Sequence, residues 1–280
     1  MNQGLPSWTA PLYYPWKGKA GFMNILCIGD IVGPQAVEFV TKNLWKIRKE
    51  YAISFVVANG ENADLGNGLM EATAKLLLQS GVDVITSGNH IWQKSGIYPF
   101  LDDCRYLLRP ANYPSTNPGH GWVIVDADGC RVLVMNVQGL VYMDESLSSP
   151  FDAIDSILAK NKGEYDIAVL DIHAEATSEK AALAHYFDGR VDIICGTHTH
   201  VQTADERILP GGSAFITDLG MCGVQNSALG VKYEPIIRKL RTGMPQRFEL
   251  AVGEITMNSV IFVHNQQNSK IELVKRVNFS

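Results

Sequence analysis

The feature that most constrains this chain is the alternation of short apolar runs with amphipathic stretches. Asn24–Ile28 is an apolar run ending in Gly29-Asp30, and Gly33-Pro34 opens the next segment. Residues 35–50 carry Val37, Val40, Leu44 and Ile47 at three- and four-residue spacing, which predicts an amphipathic helix. Ser54–Ala58 reads as a second strand, 70–80 as a helix and Val82–Thr86 as a third strand. Such βαβα order requires parallel strands joined by helical crossovers. Trp122–Val125 and Arg131–Val137 flank Asp126-Ala127-Asp128-Gly129, and the Asp-Gly pair predicts a hairpin. The alternation then returns with a helix near 150–161, strand Ile167–Leu170, a helix near 178–187 and strand Val191–Cys195. Ala214–Ile216, Phe248–Val252, Ile255–Val263 and Ile271–Val277 read as further strands, the last three antiparallel. The expected fold is a mixed α/β domain of two sheets with flanking helices.

Polar residues with metal-binding capacity stand where these strands end: Asp30, Glu61-Asn62, Asn89-His90 and His198-Thr199-His200, with Asp171-Ile172-His173 following the strand at 167–170. In open α/β sheets the ligand site lies outside the carboxyl ends of the strands. Taken singly, each piece has a plain reading. An Asp after a strand commonly caps a turn, Glu61-Asn62 can be loop polarity, and Asn89 can cap a helix. His198 and His200 are two apart, and alternate residues of an extended segment point the same way. Convergence of all five strand ends on one place is what favours a metal site. Carboxylates, amide oxygens and imidazoles together suit Mn, Fe, Co or Zn, whereas an all-oxygen set would suit Mg or Ca. So many candidates can hold two metals with a carboxylate bridging them.

The motifs GDIVG (29–33), NGEN (59–62), SGNH (87–90), DIHAEATSEK (171–180), GTHTHVQTAD (196–205) and ITDLGMCG (216–223) occur in that order. With them the chain from 23 to 280 resembles the calcineurin-like metallophosphoesterases, in particular the bacterial 2′,3′-cyclic-nucleotide phosphodiesterase branch. The resemblance implies the calcineurin-like fold, two mixed β-sheets packed as a sandwich with flanking helices. It implies that Asp30 and His200, assisted by Asn62, hold one metal, that Asn89, His173 and His198 hold the other, and that Glu61 bridges them. His90 is implied as the proton donor to the leaving oxygen, with a hydroxide held by the metals attacking phosphorus. Most of the superfamily carries Asp-x-His at the first motif, where this chain has Asp30-Ile31-Val32, and Asp at the bridging position, where it has Glu61. Both departures match the named branch, and the oxygen-rich first site favours Fe or Mn over Zn or Co.

The function expected is therefore metal-dependent hydrolysis of small phosphodiesters, with 2′,3′-cyclic nucleotides as the implied substrates. Two alternatives stand beside it: a phosphomonoesterase or phosphoprotein phosphatase on the same metals, and a regulatory protein that binds a nucleotide or a partner with slow turnover. Charge and composition narrow the partners. The formal charge of −5 and the lack of any Lys/Arg block argue against long duplex nucleic acid. No apolar run approaches the ~18–20 residues of a bilayer span. Five scattered cysteines with no C-x-x-C pair suggest a reducing, cytoplasmic compartment, and Cys27 and Cys195 read as buried apolar side chains. A homo-oligomer is permitted, but no periodic seam specifies one.

Residues 1–22 differ from the rest, with three prolines, five aromatics, two lysines and no acid. They lack the apolar core of a secretory signal and read as an extension, a tag or an upstream start, before a single domain over 23–280. Arg109, Lys94 and Arg207 are candidate phosphate contacts that nothing in the sequence ranks. Asp171 reads equally as an exposed strand residue or as an acceptor orienting an imidazole. Gly66-Asn67-Gly68 could let a ligand's phosphate or base approach the backbone but reads first as a plain turn, and His120, His185 and His264 read as structural or surface residues.

Overall fold

Strand β1 (Phe22–Ile28) shows how the layers arise. Its side chains alternate, as in any extended chain: Ile25 and Cys27 enter one apolar core, Leu26 and Ile28 another. A strand apolar on both faces must be covered on both, which dictates a multilayered molecule. The computed structural model describes residues 19–280. The extension expected over 1–22 therefore lies, apart from its last positions, outside the described residues.

After β1 come the short β2 (Asp30–Ile31), α1 (Gly33–Tyr51), β3 (Ile53–Asn59), α2 (Glu71–Gln79) and β4 (Val84–Thr86). Two 3-10 turns, Asn89–Gln93 and Ser95–Ile97, lead into α3 (Tyr98–Asp103). The hairpin is β5 (Trp122–Ala127) and β6 (Cys130–Gln138). Its two-residue turn has positive φ at both Asp128 and Gly129, as the Asp-Gly pair predicts. Then follow α4 (Pro150–Lys160), β7 (Ile167–His173), α5 (Thr177–Tyr186) and β8 (Ile193–Thr197). The chain closes with β9 (Arg207–Ile208), β10 (Ala214–Ile216), β11 (Met221–Val224), α6 (Tyr233–Thr242), β12 (Ile255–Asn265) and β13 (Lys270–Phe279).

These strands make two mixed sheets, as expected for the calcineurin-like fold. The seven-stranded sheet runs β2-β11-β12-β1-β3-β4, with β13 on the other edge of β12. The six-stranded sheet runs β5-β6-β7-β8-β10-β9. In the first, β1, β3 and β4 are parallel; in the second, β6, β7, β8 and β10 are. The sheets pack face to face over Ile25, Phe55, Val134, Val169, Ile193 and Phe262. Helices α1 and α2 cover the outer face of the first sheet, and α4 and α5 that of the second. At ~25 cal/mol per Å² of apolar area, these three cores are the main source of stability.

At one end of the inner core polar bonds cross between the sheets. Thr86 Oγ1 of β4 donates to Asp171 Oδ2 of β7 at 2.5 Å, and Asn59 Nδ2 of β3 donates to the same oxygen at 3.2 Å. Ser87 N, just past β4, donates to Asn136 Oδ1 of β6 at 3.1 Å. All these groups are buried, so bonding each other replaces the water they lost.

Two expectations need correction. Phe248–Val252 is not a strand: Leu250 makes an isolated bridge to Val231, and Phe248 and Val252 are exposed. The alternating pattern is there, but a strand needs a continuous neighbour. This segment belongs instead to an arm that carries α6, a helix with no buried residue. Strand β7 continues past Leu170 to His173, because Asp171 and His173 pair in register with Asn136 and Gln138 of β6. Among the described residues no helix is long and apolar enough to cross a membrane.

Candidate metal centre

The parallel strands β3, β4, β7 and β8 and the β1–β2 step deliver their carboxyl ends to one edge of the sandwich. Two glycines make the approach tight. A Cβ on Gly29 would lie 2.1 Å from the Gly220 carbonyl oxygen, and one on Gly88 would lie 2.3 Å from His173 Nε2 and 2.4 Å from Glu61 Oε2. The glycine before Asp30 and the glycine before Asn89 therefore let backbone pass where no side chain fits.

His198 and His200 do not lie on the extended segment expected from their spacing. His198 and His200 have φ of 101° and 63°, so the segment is a left-handed turn and not an extended one. Strain of this kind persists only when neighbours hold it. His198 N donates to Asp30 Oδ2 at 3.1 Å, and Thr199 N donates to Asp218 Oδ2 at 3.1 Å. Asp218 Oδ2 in turn accepts from the buried Lys180 Nζ at 2.7 Å.

All the expected site residues come together in one connected cluster. His200 Nε2 lies 3.5 Å from Asp30 Oδ1 and 3.3 Å from Asn62 Nδ2. Asn62 Nδ2 donates to Glu61 Oε1 at 3.0 Å. Glu61 Oε1 also lies 3.1 Å from His173 Nε2 and 3.2 Å from His90 Nδ1, while Glu61 Oε2 accepts from His90 N at 3.1 Å. His173 Nε2 faces Asn89 Oδ1 at 3.2 Å and His198 Nδ1 at 3.0 Å. The ligand atoms of Glu61, His173 and His198 all lie within 4.8 Å of one another. Glu61 thus touches both halves of the cluster.

Hydrogen bonding fixes the tautomer of His173. Thr197 Oγ1 donates its one proton to Asp171 Oδ1 at 2.8 Å, so it must accept from His173 Nδ1, 2.9 Å away. The lone pair of a neutral His173 then sits on Nε2, facing Glu61 Oε1, Asn89 Oδ1 and His198 Nδ1. Asp171 is buried, and it orients the imidazole through Thr197, which settles its role against an exposed strand residue. Burial pushes its carboxyl up to about 6.

Charge follows the same pattern. Burial alone would neutralise Asp30 and Glu61, yet neighbouring imidazoles outweigh it: His200 lowers Asp30, and His173 and His90 hold Glu61 well below the carboxylate range. Burial likewise disfavours a charged His173, but Glu61 overrides it and pushes that imidazole up to about 9. Burial and the adjacent His173 bring His198 down to about 4. The cluster is an acceptor-rich, buried place that calls for positive charge.

The residues fit a cation on a second observation. Asp30 Oδ1 and His200 Nδ1 are buried and make no hydrogen bond. A buried carboxylate oxygen left without a donor is costly, and a divalent metal would satisfy it. The mix of carboxylate, amide and imidazole donors suits a transition metal.

Other residues singled out from sequence divide. Lys94 Nζ donates to Leu65 O, and Arg207 pairs with Asp205, so neither joins the cluster. Arg109 lies in a separate cleft. His120 and His185 are exposed, and His264 is buried on β12 between β1 and β13. The 66–68 turn is closer to the site than a plain turn, since Asn67 Nδ2 lies 3.4 Å from His90 Nε2. Sequence reasoning missed Thr197, Asn59, Thr86, Asp218 and Lys180. Asn59, Lys180, Thr197 and Asp218 lie within the quoted 59–62, 171–180, 196–205 and 216–223 runs, which was the only signal available for them; Thr86 had none.

A cleft of about 470 Å³ opens beside His200, lined by Gln202, Gln225, Asn258, Thr256 and Arg276 among others. Its amide and guanidinium groups could receive the polar edges of a small ligand.

The sequence profile of the YmdB-like protein family matches residues 26–277. A 2′,3′-cyclic-nucleotide 2′-phosphodiesterase of Bacillus subtilis (strain 168) is 44% identical over 255 residues, which is 91% of this chain and 96% of that one. Among solved structures, a novel phosphatase of Mycoplasma pneumoniae superposes with a TM-score of 0.86 at 31% identity, over 92% of this chain and 93% of that one. A hypothetical protein of Thermus thermophilus gives 0.85 at 37% identity, over 92% and 99%.

Proposed function

The chain belongs to the YmdB-like family, and on that premise we propose that it is a metal-dependent phosphodiesterase of small phosphodiesters, 2′,3′-cyclic nucleotides above all. The observation that carries this reading is Glu61, buried and shared between an Asp30–Asn62–His200 group and an Asn89–His173–His198 group. Asp30, Asn62 and His200 would hold one metal, Asn89, His173 and His198 the other, with Glu61 between. Two such cations, Fe or Mn by preference, would supply Lewis-acid charge to the phosphoryl oxygens and a water acidified to near-neutral pKa.

The chain's own residues do the rest. Asp30 and Glu61 accept from the His198 and His90 backbone N–H groups, and His173 Nδ1 donates to the Thr197 hydroxyl, before any ligand arrives, so little reorganisation is needed. His90 Nδ1 lies 2.9 Å from Asn62 Oδ1 and 3.2 Å from Glu61 Oε1, two acceptors, so its proton is on Nδ1. A second proton would sit on Nε2, the partly exposed edge next to Asn67, which is where a leaving oxygen could collect it. The cleft beside His200 would take the nucleoside. In the same reading, residues 23–280 act as one domain and 1–22 as an appendage.

The test is elemental analysis of protein purified without chelator, paired with hydrolysis of bis-p-nitrophenyl phosphate and p-nitrophenyl phosphate under added Mn. About two transition-metal ions per chain and preference for the diester are expected. His90→Ala should keep both metals and lose roughly 10²–10⁴ in turnover. Folded protein with neither metal nor turnover would leave the regulatory reading in its place, and preference for the monoester would favour a phosphatase.

A further inference from the structure

A second cleft, of about 650 Å³, opens on the α4 side of the β5–β6 edge, lined by Arg105, Arg109, His120, Trp122, Ser156 and Lys160 among others. None of the metal-centre residues lines it. Leu133, Met135 and Val137 point from β6 into the α4 core, whereas Asp171 and His173 lie on the inner side with Val169, so the six-stranded sheet separates the two sites. Among the described residues no carboxylate lines this cleft, although the chain as a whole carries a net charge of −5.

Arg109 is the unusual member. It is 5% exposed, and its guanidinium donates to three backbone carbonyls: Nε to Pro118 at 3.2 Å, Nη1 to Pro110 at 2.9 Å and Nη2 to Pro114 at 3.4 Å. These bonds fix the plane of the fork but bring no negative charge. The arginine ion pairs among the described residues fall on Arg48, Arg131, Arg190, Arg207 and Arg276, and neither Arg109 nor Arg105 has one. Residues 1–18 contain no acid that could supply it. Asp102, the acid nearest in effect, has its Oδ1 engaged by Gly119 N at 2.8 Å. Asp102 thus offsets the Arg109 charge only from a distance, and burial still lowers the guanidinium's pKa, as expected of a charge taken out of water with no carboxylate bonded to it. A guanidinium has five N–H groups, so donors remain after three are used.

The rest of the lining complements it. Lys160 Nζ lies 5.4 Å from the centre of the Trp122 ring, and Arg105 Nη2 donates to Ile124 O at 2.9 Å, so both cations are held at the mouth without an acidic partner. Trp122 and Tyr113 supply aromatic wall. We propose that this cleft is a second ligand site, which binds a phosphate-bearing small molecule of about mononucleotide size, with Arg109 as the buried counter-charge and Arg105 and Lys160 at the rim. Several cations around one concavity match a dianionic phosphate better than a single carboxylate, and the guanidinium fork fits phosphate oxygens in pairs. The volume is in the range of small-molecule pockets and exceeds what a free phosphate fills.

The proposal does not rest on the metal-centre reading, and its test separates the two. Adenosine monophosphate would be titrated calorimetrically into the metal-loaded full chain, into Arg105→Glu/Lys160→Glu, and into Lys42→Glu/Lys75→Glu, a control of equal charge change on exposed helix positions elsewhere. The rim variant should lose one class of binding by at least about tenfold, while diester hydrolysis and the control's isotherm match wild type. Arg109→Met, checked for a native melting transition, should lose the same class. Adenosine should not bind there, and inorganic phosphate should compete more weakly than the nucleotide. Identical isotherms for wild type and rim variant would overturn the proposal, as would an equal loss in the control, equal binding of adenosine, or phosphate binding as tightly as the nucleotide.

Discussion

Lys180 offers the sharpest quantitative test of how the metal-centre turn is held. Its ammonium, on α5, is fully buried and 2.7 Å from Asp218 Oδ2, itself fully buried. Asp218 also accepts from Thr199 N at 3.1 Å and Gly220 N at 2.8 Å, so the pair pins both the 198–200 turn and the loop entering β11. Lys180→Met keeps the apolar stem and removes the charge. Leaving one partner of a buried ion pair unpaired costs about 3–5 kcal/mol, and the two remaining backbone donors place this case near the lower figure. At about 2 °C per kcal/mol for a chain of this size, a cost near 3 kcal/mol should lower the melting temperature by about 6 °C. The effect should depend on pH. Burial already holds the Asp218 carboxyl above its usual value, against the pull of Lys180, and loss of the ammonium raises it further. A carboxyl whose folded pKa exceeds its unfolded one destabilises progressively as pH rises past the unfolded value. The deficit should therefore be full at neutral pH and shrink as pH falls toward the ordinary 3.8. Thermal unfolding followed by circular dichroism, across about pH 4.5–8 in chelator, reads both effects. Lys180→Met/Asp218→Asn should recover part of the loss. A deficit under about 1 kcal/mol, or one that does not change with pH, would refute the argument.

Thr197→Val removes the hydroxyl that accepts from His173 Nδ1 and donates to Asp171. Metal affinity, measured by chelator competition, should weaken by about 10–100-fold, and Thr197→Ser should restore it. Gly88→Ala puts a Cβ 2.3 Å from His173 Nε2; turnover of the diester should drop by about 10²-fold or more, with the helical signal retained. His264 is buried with neither ring nitrogen hydrogen-bonded, and burial lowers its pKa against the opposing field of Asp192. An imidazole that ionises more easily unfolded costs stability as pH falls below its ordinary 6.5. His264→Leu should flatten that acid limb of the melting curve, and an unchanged slope between about pH 6.5 and 5 would count against it.

Much of this was legible in the sequence because the signals were local. Val37, Val40, Leu44 and Ile47 needed only helical spacing, and all four are buried on α1. The polar residues after β3, β4, β7 and β8 were visible because strand ends and ligand side chains lie a few residues apart. What was not legible depends on partners far along the chain. Thr197 is one hydroxyl among many until it meets Asp171 and His173. Lys180 reads as a solvated helix residue until Asp218 closes over it. The convergence of His198 and His200 was anticipated for the wrong reason, since no local pattern announces two positive φ angles. Arg109 gave no hint that Pro110, Pro114 and Pro118 would turn their carbonyls toward it. The arm bearing α6 misled because apolar residues there alternate without a neighbouring strand to pair with.

The polar contacts that cross between the sheets have a further consequence. Apolar faces attract without direction, and two flat greasy layers can slide past one another at little cost. Thr86, Asn59 and Ser87 on one sheet meet Asp171 and Asn136 on the other at fixed distances, and so act as registration pins. Glu61 and Asn89 follow strands of the first layer, while His173 and His198 belong to the second. Their mutual spacing is therefore only as accurate as the alignment of two separately built sheets. Asn59, Ser87 and Asp171 stand two residues before Glu61, Asn89 and His173, so the alignment is set where small displacements matter most.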